Sequence, residues 1–463
     1  MRIFCLLFFV GFQSFAQNPK IKCYFNHPVN TTASTGVNAV YLNTTFVDTA
    51  VAYINRAKYS IDIAMYNYTV YSGDGLNAVA NAINAAYLRG IGIRWIKNGS
   101  STNSGLSLIN NGINKLASPT TSAYGICHNK FMVIDVNSSD SNDAIVWTGS
   151  FNFSRQQSDN DYNNILIVQD KNVALAYYNE FNKMWGGTGS IPNTATSTFG
   201  PNKTASSQTL FYVNGTKVEV YFSPQDGLGQ HLQNTINTAN SDLFFGIYTF
   251  TDVTVANLIK TKNSQGITVR GIEDQFSKTY SPFTILSAQL DTNFKVYSDA
   301  TYIYHNKMLV VDANDISSDP QVFTGSFNWT AAAETKNDEN VMVIHDQAIA
   351  NQYYQSLCAN FSDLGGTACR PETVSHTGIN NSSFSKNSFS VFPNPFEEEL
   401  TLTVGNFSGT SQVKIIDQLG KTIYEVQLDK IKTTLDLKNL ASGFYFISVT
   451  SEEKTMYQKL IKN

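Results

Sequence analysis

His128-Asn129-Lys130-Phe131-Met132-Val133-Ile134-Asp135 decides the reading of this chain, because the same pattern returns as His305-Asn306-Lys307-Met308-Leu309-Val310-Val311-Asp312. Thr148-Gly149-Ser150-Phe151-Asn152 returns at almost the same offset as Thr324-Gly325-Ser326-Phe327-Asn328. Weaker echoes lie upstream. Tyr24-Phe25 matches Tyr221-Phe222, and residues 61–66 match residues 243–248, both ending in Tyr. Fixed-offset self-similarity is the mark of an internal duplication.

Working outward, each copy alternates strand-like and helix-like runs. Residues 61–66, 131–136, 144–147 and 165–168 predict strands. The apolar spacing of residues 51–58, 76–89 and 172–185 predicts helices. Interleaved strands and helices imply an α/β layered fold. Two such halves are expected to pack face to face about a pseudo-twofold axis, with the first repeat at residues 17–200 and the second at 201–372. Residues 373–388 are rich in Ser, Asn, Thr and Gly and read as a linker. Residues 389–463 alternate like short strands with no helical run and predict a small all-β sandwich.

Composition sets the outer bounds. The chain has 463 residues, 42% hydrophobic, 13% aromatic and 15% charged, with a net charge of −4. Such a chain buries a sizeable core. The negative balance argues against a broad basic face for coating nucleic acid, though it allows a local basic cleft. At the start, Arg2 precedes a short apolar run, and Ser14-Phe15-Ala16 supplies a small-x-small site before Gln17. This predicts a signal peptide over residues 1–16. The run is shorter than the ~20 residues a membrane span requires. Four cysteines would remain after cleavage: Cys23, Cys127, Cys358 and Cys369. An even count in an exported chain permits two disulfides, and Cys358 with Cys369, flanking one short loop, is the preferred pair. Cys127 beside His128 raises a catalytic thiol. A structural role is preferred, since Tyr304 stands at the equivalent place in the second copy.

The motifs carry the chemistry. On a strand, residues i and i+2 share a face, so His128 projects with Lys130 and His305 with Lys307. Asp135 and Asp312 complete the catalytic motifs. Their odd spacing from the histidines turns them to the other face, in a framework role. Displacement at a phosphodiester needs a nucleophile, a proton donor and cations on the equatorial oxygens. Two imidazoles serve as nucleophile and acid, and two lysines supply charge without a metal. Ser150, Asn152, Ser326 and Asn328 are expected to donate hydrogen bonds to the same oxygens. Glu339 closes the second repeat where Asn163 closes the first. A carboxylate on an imidazole fixes its tautomer and raises its basicity. If that contact crosses between the halves, His128 is the better nucleophile, with Asp159 and Asp161 as alternative partners for the other ring. His27, His231, His345 and His376 read as structural. A zinc site is disfavoured by a lysine two residues from each motif histidine, and no cofactor is expected. A duplicated module without activity is the remaining alternative.

His-Asn-Lys with a following Asp, then Gly-Ser-Phe-Asn, twice in one chain, resembles the phospholipase D superfamily over residues 22–369. The resemblance implies two α/β/α lobes, both His-x-Lys pairs in one cleft, and a phosphohistidine intermediate with no metal. It implies His128 as nucleophile and His305 as acid, then base. Asn163 departs from the pattern, which has a carboxylate there. The tail, through Phe392-Pro393-Asn394-Pro395-Phe396 and Lys459-Leu460-Ile461-Lys462, is similar to the C-terminal sorting domain of the type IX secretion system. That implies the type IX machinery as a partner, export through the periplasm, and a secreted or cell-surface protein.

Export, net acidity and abundant aromatics favour a phospholipid substrate, phosphatidylcholine- or cardiolipin-like, with peripheral membrane contact. A metal-independent endonuclease is the alternative, since residues 325–340 look like small bacterial nucleases of this superfamily. An inactive surface-binding module is a third reading. Both half-sites lie in one chain, so no obligate oligomer is required.

Overall fold

The computed structural model describes residues 18–71, 73, 75–367 and 369, and in the tail 389–392, 394, 396–404, 410–417, 421–451 and 454–462. The expected signal peptide and linker lie outside the described residues. The chain divides into two compact units, Met1–Val374 and Ser375–Asn463.

Two eight-stranded sheets build the first unit. One runs from edge to edge as Val40–Tyr41, Ile21–Phe25, Asn164–Val168, Ile145–Gly149, Lys130–Ile134, Ser60–Met65, Gly92–Lys97 and Asn114–Ala117. The other repeats the order except at the first edge, where the outer strand precedes its neighbour and runs antiparallel to it: Leu210–Val213, Thr216–Ser223, Glu339–His345, Gln321–Gly325, Lys307–Val311, Asp242–Ile247, Thr268–Asp274 and Phe294–Tyr297. The registers match too, with Met65 opposite Lys130 and Ile247 opposite Lys307. Crossover helices Asn77–Leu88 and Val253–Ser264 join parallel neighbours in each sheet, as parallel pairing requires.

Strand alternation sorts the apolar residues into layers. Met132 and Ile134 face an outer core with Ile54, Val79 and Ile83 of the outer helices. Phe131 and Val133 face a central core shared with Met308 and Val310 of the second sheet. A matching outer core holds Leu309, Val311, Leu232 and Ile259. The central core also takes in helices Lys171–Trp185 and Gln347–Asp363. The latter is buried from Ala348 to Phe361, and its polar side chains serve the first lobe. Gln355 accepts the Ala39 N–H and donates to the Val37 carbonyl, and Asn351 donates to the Ala33 carbonyl. Its last turn is tied down by a Cys358–Cys369 disulfide, while Cys23 and Cys127 are buried free thiols.

Two boundaries differ from the sequence reading for one reason. The first helix spans Asp48–Arg56, ending before residue 58, and the central strand ends at Ile134. Asp135 adopts a left-handed backbone, φ 53°, and its carboxylate accepts the N–H groups of Lys58, Tyr59 and Ser60. Those donors are thereby withdrawn from the helix.

The second unit packs a three-stranded sheet, Phe389–Phe392, Glu399–Val404 and Lys432–Asp436, with a four-stranded one, Thr422–Leu428, Ser411–Ile416, Gly443–Ser451 and Lys454–Lys462. Leu400, Leu402, Val413, Ile415, Ile447 and Leu460 fill its core. It is a small β-sandwich. Among the described residues no helix is long and apolar enough to cross a membrane.

Candidate active site

Each motif enters its central strand at the end nearest the other lobe. Just before the strands, the lobes exchange backbone hydrogen bonds. His128 N–H donates to the Asp338 carbonyl (2.9 Å), and Tyr162 N–H donates to that of Ile303 (3.1 Å). Behind these, Asn164 donates to Asn306 Oδ1 (2.9 Å) and Asn340 to Thr148 Oγ1 (2.8 Å). Within each sheet the Gly-Ser turn runs tight against the closing strand and needs a glycine with positive φ. A Cβ at Gly149 would meet the Asn164 carbonyl oxygen at 2.2 Å, and one at Gly325 would meet that of Asn340 at 2.1 Å.

This stitching gives each buried histidine a partner from the opposite lobe. His128 Nδ1 lies 2.7 Å from Glu339 Oε2, and His305 Nδ1 lies 2.9 Å from Asn163 Oδ1. Asn163 donates its amide hydrogens to the Gln157 and Asp161 carbonyls, at 2.9 and 3.1 Å. Its oxygen therefore faces the ring, and His305 must donate from Nδ1. Glu339 likewise receives the His128 Nδ1–H. In the neutral rings, both Nε2 atoms then carry the lone pair.

Lys130 and Lys307 curl back so that each Nζ donates to its own histidine's carbonyl, at 2.7 and 2.6 Å. Each ammonium sits 5.1 Å from a tyrosine ring, Tyr66 for Lys130 and Tyr248 for Lys307. The same rings flank His128 and His305 at 5.0 and 5.5 Å. Such contacts stabilise a desolvated cation. The two tyrosines were not singled out from sequence, although both end the echoed runs 61–66 and 243–248.

Burial and mutual repulsion shape the charges. Burial pushes the His128 ring down to about 4, with Glu339 opposing and Lys130 reinforcing. His305 is pushed well below its ordinary value by burial, then by Lys307, Lys130 and His128. Burial brings the Lys130 ammonium down to about 7 despite Glu339, and burial and then Lys130 push Lys307 well below its ordinary value. Burial pushes Glu339 up, but His128 and Lys130 outweigh it and hold the carboxyl below its ordinary value. The site thus gathers two imidazoles and two ammoniums around one carboxylate, an arrangement that an entering anion stabilises.

Other expected residues fall elsewhere. Asp135 and Asp312 do not belong with the groups that touch substrate. At the far end of the strand, roughly 20 Å away at ~3.3 Å per residue, Asp135 holds three N–H groups as described above. Asp312, with φ 51°, likewise accepts the N–H groups of Asn240, Ser241 and Asp242. Ser150 and Ser326, expected to bond phosphate, instead donate to Asn163 Oδ1 and Glu339 Oε2, at 2.9 and 2.7 Å. They orient the histidine partners. Asn152 donates to Gln157 Oε1 (3.0 Å). The second copy has Ala333 where the first has Gln157, and the amide of half-buried Asn328 donates to no described residue. Neither Asp159 nor Asp161 reaches His305: Asp159 pairs with Arg155, and Asp161 accepts the Ile303 N–H. Burial pushes the Cys127 thiol well above its ordinary value, which suits a structural thiol. His27 stacks on Tyr162 and His231 on Tyr221, while His345 bridges Glu219 and Asp319. His376 lies outside the described residues. Among the described residues, no group of three His, Cys, Asp or Glu side chains is placed to hold a metal ion.

The duplicated sheets and the paired His-x-Lys motifs define a two-lobed phosphodiesterase fold. Residues 50–185 and 232–359 match the family model described as "cardiolipin synthase, PLD-like domain", together more than half of the chain. The chain belongs to this phospholipase D-like family. Residues 390–463 match a secretion system C-terminal sorting domain. Among curated proteins, the chain is similar to phospholipase D of Rickettsia conorii, 29% identical over 147 residues, 30% of this chain and 68% of the relative. It is also similar to phospholipase D of Rickettsia bellii, 30% identical over 142 residues, covering 30% and 67%. A mitochondrial cardiolipin hydrolase of Chlamydomonas reinhardtii is 25% identical over 123 residues, covering 26% and 52%. Among solved structures, the phosphatidylserine synthase of Haemophilus influenzae superposes with TM-score 0.51 at 14% identity, over 75% of this chain and 86% of that one.

Proposed function

We propose that this protein is a secreted phosphodiesterase that hydrolyses phospholipid headgroups, phosphatidylcholine- or cardiolipin-like, through a phosphohistidine on His128. The observation that carries the assignment of roles is the unequal pairing of the rings. His128 has the Glu339 carboxylate, which stabilises the imidazolium character that grows as Nε2 attacks phosphorus. His305 has only the neutral Asn163 amide, so its proton is held less firmly and is the one to give away. Nε2 of His128 bonds to phosphorus while the P–O bond to the leaving alcohol breaks, and His305, which takes a second proton on Nε2 once the phosphodiester anion offsets the two lysines, gives that proton to the leaving oxygen. Water then attacks the phosphohistidine, neutral His305 takes its proton, and His128 leaves. Lys130, Lys307 and the Asn328 amide neutralise the phosphoryl oxygens. Ser150, Ser326, Asn152 and the two aspartates support this set.

The relatives' names and the net charge of −4 favour lipid. The sorting-domain match and the signal-like start support export by the type IX machinery to the surface or medium, with peripheral contact at a membrane. We assign residues 17–200 and 201–372 to the two repeats.

The test assays wild type, His128→Ala and His305→Ala on phosphatidylcholine, cardiolipin and single-stranded DNA, with and without EDTA. Lipid turnover by wild type alone, unaffected by chelator, is expected. Turnover of DNA only would make the protein a nuclease. No turnover of any substrate would favour a binding module, and activity lost in EDTA and restored by zinc would defeat the mechanism.

A further inference from the structure

We propose that Lys203 is a positioning residue for the His128 half of the site: its ammonium clamps Asp338 and thereby fixes Glu339 against the ring. This rests on the reading of His128 as nucleophile. Lys203 lies on the segment joining the two sheets and is fully buried at its charged end. Nζ meets Asp338 Oδ1 at 2.7 Å, the Ser223 carbonyl at 2.8 Å, and Glu180 on helix Lys171–Trp185. The clamp thus draws on the first lobe, the connection and the second lobe at one point.

Its contacts lead to the two residues that precede Glu339. Asp338 carries the carbonyl that accepts the His128 N–H, and its carboxylate also receives the Gly200 N–H (2.8 Å) and the Tyr124 hydroxyl (2.5 Å). Ser223, whose carbonyl Lys203 holds, donates its hydroxyl to the Asn337 carbonyl (2.9 Å) and accepts the Glu339 N–H (3.1 Å). Asn337 in turn donates to Glu339 Oε1 (3.0 Å). In the other half Asn26 takes the place of Ser223, accepting the Asn163 N–H (2.8 Å) and donating to the Asp161 carbonyl (2.7 Å), but the ion cluster has no counterpart. Tyr162 replaces Asp338 there, its ring 3.5 Å from that of His27. Buried ion clusters add little net stability over apolar packing, and their best-attested use is to fix one geometry. This one backs only the half whose histidine has a carboxylate partner.

The clamp also balances charge, one ammonium serving two carboxylates. The groups facing His128 are Glu339, Lys130, Lys307, His305 and the Tyr66 ring. Without Lys203, Asp338 would lose its cation while Glu180 kept only Lys183 (3.4 Å), and the added negative charge would strengthen the ring's hold on a proton. A protonated ring does not attack, so activity would fail at a higher pH on the acid side.

The experiment uses the full chain and compares Lys203→Met, the charge-balanced Lys203→Met/Glu180→Gln and Tyr124→Phe with wild type. It reads phosphoenzyme formation, KM, the acid limb of the pH profile, and the His128 ring titration by NMR. Lys203→Met should slow phosphoenzyme formation by about 10–100-fold with KM little changed, and raise the acid limb and the His128 titration by about one pH unit. The double variant should return the limb and keep the slow step. Tyr124→Phe, which removes one donor from Asp338, should raise the limb slightly and decides the matter if the lysine variants do not fold. Wild-type rates with an unshifted His128 titration in the folded variants would overturn the proposal. If wild type turns over no diester, the proposed function falls, while the ring titration still decides the clamp.

Discussion

His128 Nδ1 stands 2.7 Å from a carboxylate oxygen of Glu339, a residue carried by the other repeat. Its counterpart, His305, faces an amide oxygen of Asn163 at 2.9 Å. A duplicated scaffold has thus become chemically unequal through one pair of closing residues. Glu339→Gln should lower the rate of phosphoenzyme formation by roughly 10²–10⁴-fold, with substrate binding much less affected. Asn163→Asp should leave that step within a few-fold of wild type and speed the hydrolytic step, in which neutral His305 takes a proton from water and a carboxylate partner makes it the stronger base. Rapid-quench trapping of the phosphorylated enzyme separates the two. Equal effects of both changes on the first step would remove the assignment of His128 as nucleophile.

The charges of the site predict a bell-shaped dependence of kcat/KM on pH. The nucleophile must be neutral, and burial holds the His128 ring at about 4, so activity should fall as pH drops through that value. The acid, His305, must carry its proton, which burial and the lysines push well below the ordinary value, and Lys130, held by burial at about 7, must be charged, so kcat/KM should fall as pH rises and most steeply above about 7. A bound phosphodiester adds negative charge beside Lys130 and raises its proton affinity. The basic limb of kcat should therefore lie at higher pH than that of kcat/KM. Coincident basic limbs would show that Lys130 does not meet the substrate's charge.

Asp135 offers a contrast between fold and chemistry. Its carboxylate accepts three backbone N–H groups at 2.7–2.9 Å, away from the histidines. Asn in its place offers one oxygen and points an N–H₂ group at donors. Asp135→Asn should cost about 2–4 kcal/mol of stability and leave kcat of the folded fraction close to wild type. Thermal unfolding and active-site titration check the two halves of this expectation. A large loss of kcat with unchanged stability would return Asp135 to the chemistry.

What was legible in the sequence was what the duplication writes twice. The two motifs, the face shared by each His and Lys, and the odd-spaced aspartates follow from strand period alone. The Glu339–Asn163 inequality was visible because two copies can be compared position by position. Ser150 and Ser326 were misread because their type suits phosphate equally well, and only the fold shows that Asn163 and Glu339 already take their hydroxyls. Lys203, Glu180 and Asp338 left no signal. They sit on a connection, a helix and a strand end, they have no second copy, and their partnership exists only once the lobes have docked. Tyr66 and Tyr248 were within reach, since a repeated terminal tyrosine has the same standing as a repeated serine.

The Cys358–Cys369 disulfide closes a short loop at the end of a helix buried against both sheets. By the loop-entropy estimate, a crosslink over so short a span stabilises by about 3 kcal/mol. Its effect is to keep the last turn of Gln347–Asp363 from fraying out of the central core, where Tyr353, Leu357 and Phe361 pack. Replacing both cysteines by serine should lower the unfolding midpoint while leaving activity intact at low temperature, because neither sulfur approaches the motif histidines. Cys23 and Cys127 are buried, and burial pushes both thiols up, so iodoacetamide should label neither in the native protein. Cys358 and Cys369 are buried too, so labelling after reduction should map to them only as the helix end opens. Labelling of Cys127 in the native state, with loss of turnover, would instead mean that the His128 strand end opens to solvent and that the helix does not hold the lobes closed.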